Sequence, residues 1–137
     1  WSRMPLRLSR QSLQAVLLVL ALSGNLDGCS NGFSPIFDGN CFRRVPRTSN
    51  DEAEKGCVQL GAHLSSIHSK EENEKLREYV GRTVVWIGLH CTDGPNRTLA
   101  WTDRTPFDYH NFSKSVLEAA CEGAGPSCFL LDGNTGL

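Results

Sequence analysis

Six cysteines, Cys29, Cys41, Cys57, Cys91, Cys121 and Cys128, constrain this chain more than anything else in it, and all six follow a short apolar leader. Arg3, Arg7 and Arg10 precede an apolar run from Leu13 to Leu22 that ends in the small residues Ser23 and Gly24, the pattern of a secretory signal peptide. A run of about ten apolar residues falls well short of the roughly 20 that a membrane-crossing helix needs, so no membrane span is expected. Residues 4–23 are therefore expected to be the signal, cleaved after Ser23, with cleavage after Gly24 as the alternative. Residues 1–3 precede Met4 and are expected to lie upstream of the natural start. The product is then secreted, and in an oxidising compartment its thiols pair. Six cysteines allow 15 connectivities, and spacing alone does not choose among them.

The 137 residues suit one globular domain, and a net charge of −1 gives no basic field for phosphate backbones. Nucleic acid is accordingly not an expected partner. Two sequons, Asn96-Arg97-Thr98 and Asn111-Phe112-Ser113, fit surface loops of an exported glycoprotein.

Cys29 to Arg43 is rich in Gly, Asn, Asp and Pro, with Phe33, Phe37 and Phe42 spaced through it, which reads as short strands joined by tight turns. A Cys29–Cys41 bridge would close this stretch as a hairpin. A helix is expected from Asn50, which can cap it, with Ala53, Cys57 and Leu60 on the buried face and Gly61 as its stop. A second begins at Ser69, where Ser69-Lys70-Glu71-Glu72 forms a capping box, Glu71 pairs with Lys75, and Leu76, Tyr79 and Val80 face inward up to Gly81. Val84-Val85-Trp86-Ile87-Gly88-Leu89 is short, β-branched and aromatic, the composition of a strand buried at the centre of a sheet. A turn over Thr92 to Arg97 leads to a strand at Leu99–Thr102, and a last strand is expected at Phe129–Leu131 before the turn Asp132-Gly133-Asn134. Asp103 to Gly125 reads as one long loop. Helices first, strands later and a long inserted loop indicate an α+β domain in which disulfides supplement a small core.

These segments resemble the C-type lectin-like domain. The likeness rests on Cys41-Phe42, Glu54 to Leu64 with Cys57, Ser66-Ile67-His68-Ser69 followed by Glu71-Glu72-Asn73, Trp86-Ile87-Gly88-Leu89, Trp101-Thr102-Asp103 and Asp108-Tyr109-His110-Asn111-Phe112. It implies two helices and a twisted antiparallel sheet over residues 24–137, disulfide-stapled, with the long loop meeting a ligand. It further implies that Cys29 pairs with Cys41 in the N-terminal hairpin of the longer variant of the domain. Cys57 and Cys128 would pair with cysteines later than Leu137, so the domain is expected to be incomplete at its C-terminal end. Cys91 and Cys121 stand outside the common framework and flank the long loop, and they are expected to bridge each other.

Sugar-binding members of that family hold a calcium ion in the loop, and calcium needs about 6–8 oxygen ligands converging on one point. The family's Glu-Pro-Asn or Gln-Pro-Asp triplet does not occur here, since Lys114 to Ala120 stands in its place and Pro126 replaces the acidic ligand shortly before Cys128. Calcium at the usual site is therefore disfavoured. Asp103, Asp108, Glu118 and Glu122 remain as candidate residues of the ligand-binding loop, the first two expected to hold it together by hydrogen bonds as Asx residues do. The expected partner is a glycan or glycoprotein, with calcium-independent recognition of a protein or lipid as the alternative. Catalysis is not expected: His63 and His68 are not one helical turn apart, His90-Cys91 has no companion pair at zinc-finger spacing, and there is no Gly-x-Ser-x-Gly elbow or P-loop.

Overall fold

The computed structural model describes residues 15–20, 29, 32–46, 49–122 and 128–135. The expected cleavage point after Ser23, residues 1–3 and Pro126 lie outside the described residues. In chain order the elements are β1 (Ala15–Leu20), β2 (Ser34–Phe37), β3 (Asn40–Pro46), α1 (Asn50–Gln59), β4 (His63–Leu64), α2 (Lys70–Val80), β5 (Val84–Cys91), β6 (Leu99–Trp101), α3 (Lys114–Ala119) and β7 (Cys128–Asp132).

The strands join in a seven-stranded sheet whose main path runs β2-β3-β1-β5-β6. At its centre is β5, the Trp-Ile-Gly-Leu run. It bonds β7 antiparallel along one edge, while the other edge is shared by β1 near Val85 and Trp86 and by β6 from Leu89 to Cys91. Every strand pair is antiparallel except β1 with β5, which is parallel. The strand β1 comes from within the expected leader. Its apolar run pairs with β3 from Ala15 opposite Pro46 to Leu20 opposite Cys41, so in the full chain the sheet also takes in residues ahead of the expected domain start at residue 24.

The helices α1 and α2 each begin where a serine hydroxyl satisfies an N-terminal amide. Ser49, not Asn50, caps α1 by accepting from Glu52 N at 3.3 Å. Asn50 is spent elsewhere, its Nδ2 reaching Ile87 O of β5 at 3.5 Å and fastening the helix to the sheet. Ala53, Gly56 and Cys57 form the buried face of α1, whereas Leu60, at the frayed end, is 43% exposed. Ser69 caps α2 through Glu72 N. Glu72 does not close the box onto Ser69: its carboxylate accepts from His68 N at 2.7 Å, one residue earlier, and so caps the approach to the helix. The expected Glu71–Lys75 pair gives way to Lys70–Glu74 and Lys75–Glu78 on the exposed face.

The main core packs Phe42, Ile67, Leu76, Val80, Val85, Ile87, Leu89, Trp101 and Leu131 between α2 and the sheet. A second cluster of Phe33, Cys41, Ala53, Cys57, Ala62 and Leu64 seats α1. Gly88 makes the sheet's closest approach. Its N–H donates to Ser65 O and its carbonyl accepts from Thr102 N, both at 2.9 Å. A Cβ there would stand 2.6 Å from Thr102 Oγ1 and 2.9 Å from Leu64 O, which no ordinary packing tolerates.

The long loop is not wholly irregular. Lys114–Ala119 forms the short helix α3, which the sequence reading treated as loop. The Lys114–Glu118 pair at 3.6 Å spans one turn of it, the spacing that supports a helix on the surface.

Candidate ligand groove

The loop that leaves β6 is tied back to the segment between β4 and α2 at two points. Ser66 Oγ donates to Asp103 Oδ2 at 2.5 Å, while Asp103 Oδ1 accepts from Thr105 N at 2.9 Å and Thr105 Oγ1 at 2.6 Å, an Asx turn closed on itself. Further along, Asp108 Oδ1 lies 2.7 Å from His68 Nδ1. That bond holds the exposed Asp108 carboxyl below its ordinary range. Both carboxylates are thereby spent on loop geometry. Glu72, beneath the same segment, is buried, and burial pushes its carboxyl above the ordinary range.

Around these ties, aromatic rings of the loop pack against the core. His68, Trp101, Phe107 and His110 form a chain of ring contacts, with centroids 6.2, 6.1 and 6.1 Å apart in turn, and His110 is stacked on Phe107 at 20°. Trp101 is fully packed, so its role is in the core and not at the surface. Phe107 and His110 reach the surface and line a groove of about 560 Å³. Arg97, Thr98 and Leu99 line it as well, with Leu117, Glu118, Cys121 and Glu122 of the α3 segment. Leu99, Phe107 and Leu117 are apolar; Arg97, His110, Glu118 and Glu122 surround them with charge and hydrogen-bonding groups. An apolar floor with a few polar groups is what a recognition cleft needs.

A disulfide fixes the α3 wall. Cys91, at the end of β5, is bridged to Cys121, a groove residue, while Cys29 is bridged to Cys41 in the hairpin of β2 and β3, in the separate cluster that seats α1. Cys57 and Cys128 are thiols, the former buried on α1 and the latter half-buried on β7. Burial, and next the Asp51 carboxylate, push the Cys128 thiol up. Asn96 and Asn111 are both exposed, the first in the turn between β5 and β6 and the second in the loop beyond His110.

The structure thus divides the four candidate loop residues into two pairs. Glu118 and Glu122 lie on the groove, whereas Asp103 and Asp108 brace the loop that forms it. Among the described residues no three His, Cys, Asp or Glu side chains converge as metal ligands, and Glu118 faces Lys114. The sequence reading missed Arg97, Phe107, His110 and Leu117 as groove residues. Phe107 and Leu117 are two of several apolar residues in the loop, with Tyr109, Phe112 and Val116, and nothing local marks them as groove residues.

Among the described residues no helix is long and apolar enough to cross a membrane. The family profile described as Lectin C-type domain matches residues 47–136. Rheacalcin-2 of Rhea americana is 39% identical over 102 residues, which cover 63% of this chain and 70% of that protein. Snaclec 3 of Sistrurus catenatus edwardsii is 30% identical over 127 residues, covering 85% of this chain and 83% of that one. Among solved structures, the carbohydrate-recognition domain of the human scavenger receptor C-type lectin superposes with a TM-score of 0.62 at 26% identity, over 80% of this chain and 85% of that one. With two-thirds of its length under the family profile, the helix pair and Trp-Ile-Gly-Leu strand in place, and relatives aligned across most of their own length, this chain belongs to the C-type lectin-like domain family.

Proposed function

We propose that this chain is an exported, non-enzymatic recognition module that binds a protein or glycoprotein ligand in the groove beside α3, without calcium. In this reading residues 4–23 are a signal peptide removed on export, residues 24–137 carry the recognition domain, and Asn96 and Asn111 are acceptor sites for N-linked glycans. The observation that carries it is the engagement of Asp103 and Asp108, carboxylates held by Ser66, Thr105 and His68 as loop braces, with no convergence of three His, Cys, Asp or Glu side chains among the described residues. What the loop offers instead is a partly apolar cleft with charged edges. A net charge of −1 supplies no attraction for nucleic acid.

A second reading, carbohydrate binding, is favoured by likeness to the carbohydrate-recognition domain of the human scavenger receptor C-type lectin. The two separate on an array of glycans and glycoproteins probed with the secreted chain in calcium and in chelator. The groove reading expects binding that survives chelation and is lost on Leu117→Arg, which places a charge on the apolar floor. Binding that requires calcium and ignores Leu117→Arg would return the function to the calcium-dependent reading.

A further inference from the structure

Resting on the groove as the recognition surface, we infer that N-linked glycosylation, at Asn96 above all, controls access to it. Each sequon adjoins residues that line the groove. Asn96 is exposed, and the next two residues of its sequon, Arg97 and Thr98, line the groove directly. Asn111 is exposed and follows His110, a groove residue whose ring is stacked on Phe107.

The Asn96 turn has little freedom to swing away. Thr92 N donates to Thr98 O at 2.8 Å, Thr98 N donates to Thr92 Oγ1 at 2.9 Å, and Arg97 Nε donates to Thr92 O at 3.4 Å. The acceptor side chain therefore stands at a fixed tip on the groove's rim. In the secretory pathway Asn96 Nδ2 attacks the anomeric carbon of a lipid-linked oligosaccharide, a C–N bond forms, the lipid pyrophosphate leaves, and the amide nitrogen gives up one proton. The attached glycan is bulky and solvated, and from this rim it overhangs Leu99 and the apolar floor. A chain glycosylated at Asn96 then admits narrow ligands and excludes broad protein surfaces. The unmodified chain admits both.

The test needs no ligand. The full chain is secreted from a culture that glycosylates, and site occupancy is read by peptide mass mapping. Carboxyl labelling with a carbodiimide and a bulky amine then follows Glu118 and Glu122 on the groove, with Glu74 and Glu78 on α2 as internal references. Three samples are compared: the glycosylated chain, the same chain stripped by a peptide N-glycosidase, and Asn96→Gln. The inference expects Asn96 to be occupied, and Glu118 and Glu122 to label severalfold more slowly in the glycosylated chain than in the other two, with the references unchanged. Equal labelling in the three samples, or an unmodified Asn96, overturns it. If Asn96→Gln is not secreted, the stripped chain decides alone. Because labelling reads shielding directly, a failed ligand array counts against the proposed function, and equal labelling against the glycan gate.

Discussion

His68 Nδ1 and Asp108 Oδ1 lie 2.7 Å apart across 40 residues of sequence, joining the approach to α2 to the loop that carries Phe107 and His110. Through that one contact the capped start of a helix sets the position of a groove wall. The Ser66–Asp103 bond does the same at the loop's root, so the cleft is a product of the scaffold's caps and turns.

Asp108→Ala should loosen the loop, and the effect should depend on pH with a definite sign. The Asp108 carboxyl is held down chiefly by its bond to His68. A depressed carboxyl contributes stability that is present above the unfolded value, about 3.9, and is lost as pH falls through the lower folded value. The wild-type chain should therefore melt above Asp108→Ala at pH 5–7, and the two midpoints should converge under acid. Hydrogen exchange at Phe107 to His110 should be faster in the variant at neutral pH.

Glu72 carries the opposite sign. Burial raises its carboxyl, so its contribution is greatest below the unfolded value of about 4.3 and declines as pH rises through the folded value. Glu72→Gln keeps an oxygen for the His68 amide and removes the buried charge; its stability at pH 7 should match or exceed wild type. Glu72→Ala leaves the His68 N–H without its acceptor and should cost about 1–3 kcal/mol in denaturant unfolding.

Replacing Cys91 and Cys121 together by Ala should cost roughly 3–4 kcal/mol, the loop-closure value for a bridge of sequence separation 30. Because Cys121 lines the groove, hydrogen exchange should rise across α3 while α1 and α2 keep their protection. A uniform loss across the whole chain would show that the bridge serves the global fold and not the groove wall.

Gly88→Ala should destabilise by about 1–3 kcal/mol through overpacking, since the new methyl meets Leu64 O at 2.9 Å as well as Thr102 Oγ1. Shrinking the second neighbour with Thr102→Ser keeps the hydroxyl, and the backbone carbonyl cannot retreat, so the double variant should recover little of the loss in thermal midpoint.

The scaffold was legible because its signals are local. Ser69 before an amphipathic run, Gly81 after it, and the β-branched Val84–Leu89 stretch each state their own structure, and α2 and β5 stand where they do. Neighbouring detail was not legible, because it depends on tertiary partners. Asn50 gave up the cap to Ser49 because Ile87 O lay within its reach, and Glu72 served His68 N instead of Ser69 N. The helix α3 is too short for a periodic signal, and its single clue was the Lys114–Glu118 spacing. The groove was the least legible feature, because Arg97, Phe107 and Leu117 come from three segments that only the folded loop brings together.

The most direct measurement is the thermal midpoint of the secreted chain in millimolar calcium against chelator. A cation bound only by the folded state at 100 times its dissociation constant adds about 2.7 kcal/mol, a shift of several degrees for a domain of this size. With Asp103 and Asp108 committed to Ser66, Thr105 and His68, the two midpoints should coincide. A saturable rise with calcium, abolished by Asp103→Asn or Asp108→Asn, would mean that these carboxylates are metal ligands and that the loop is not braced as described.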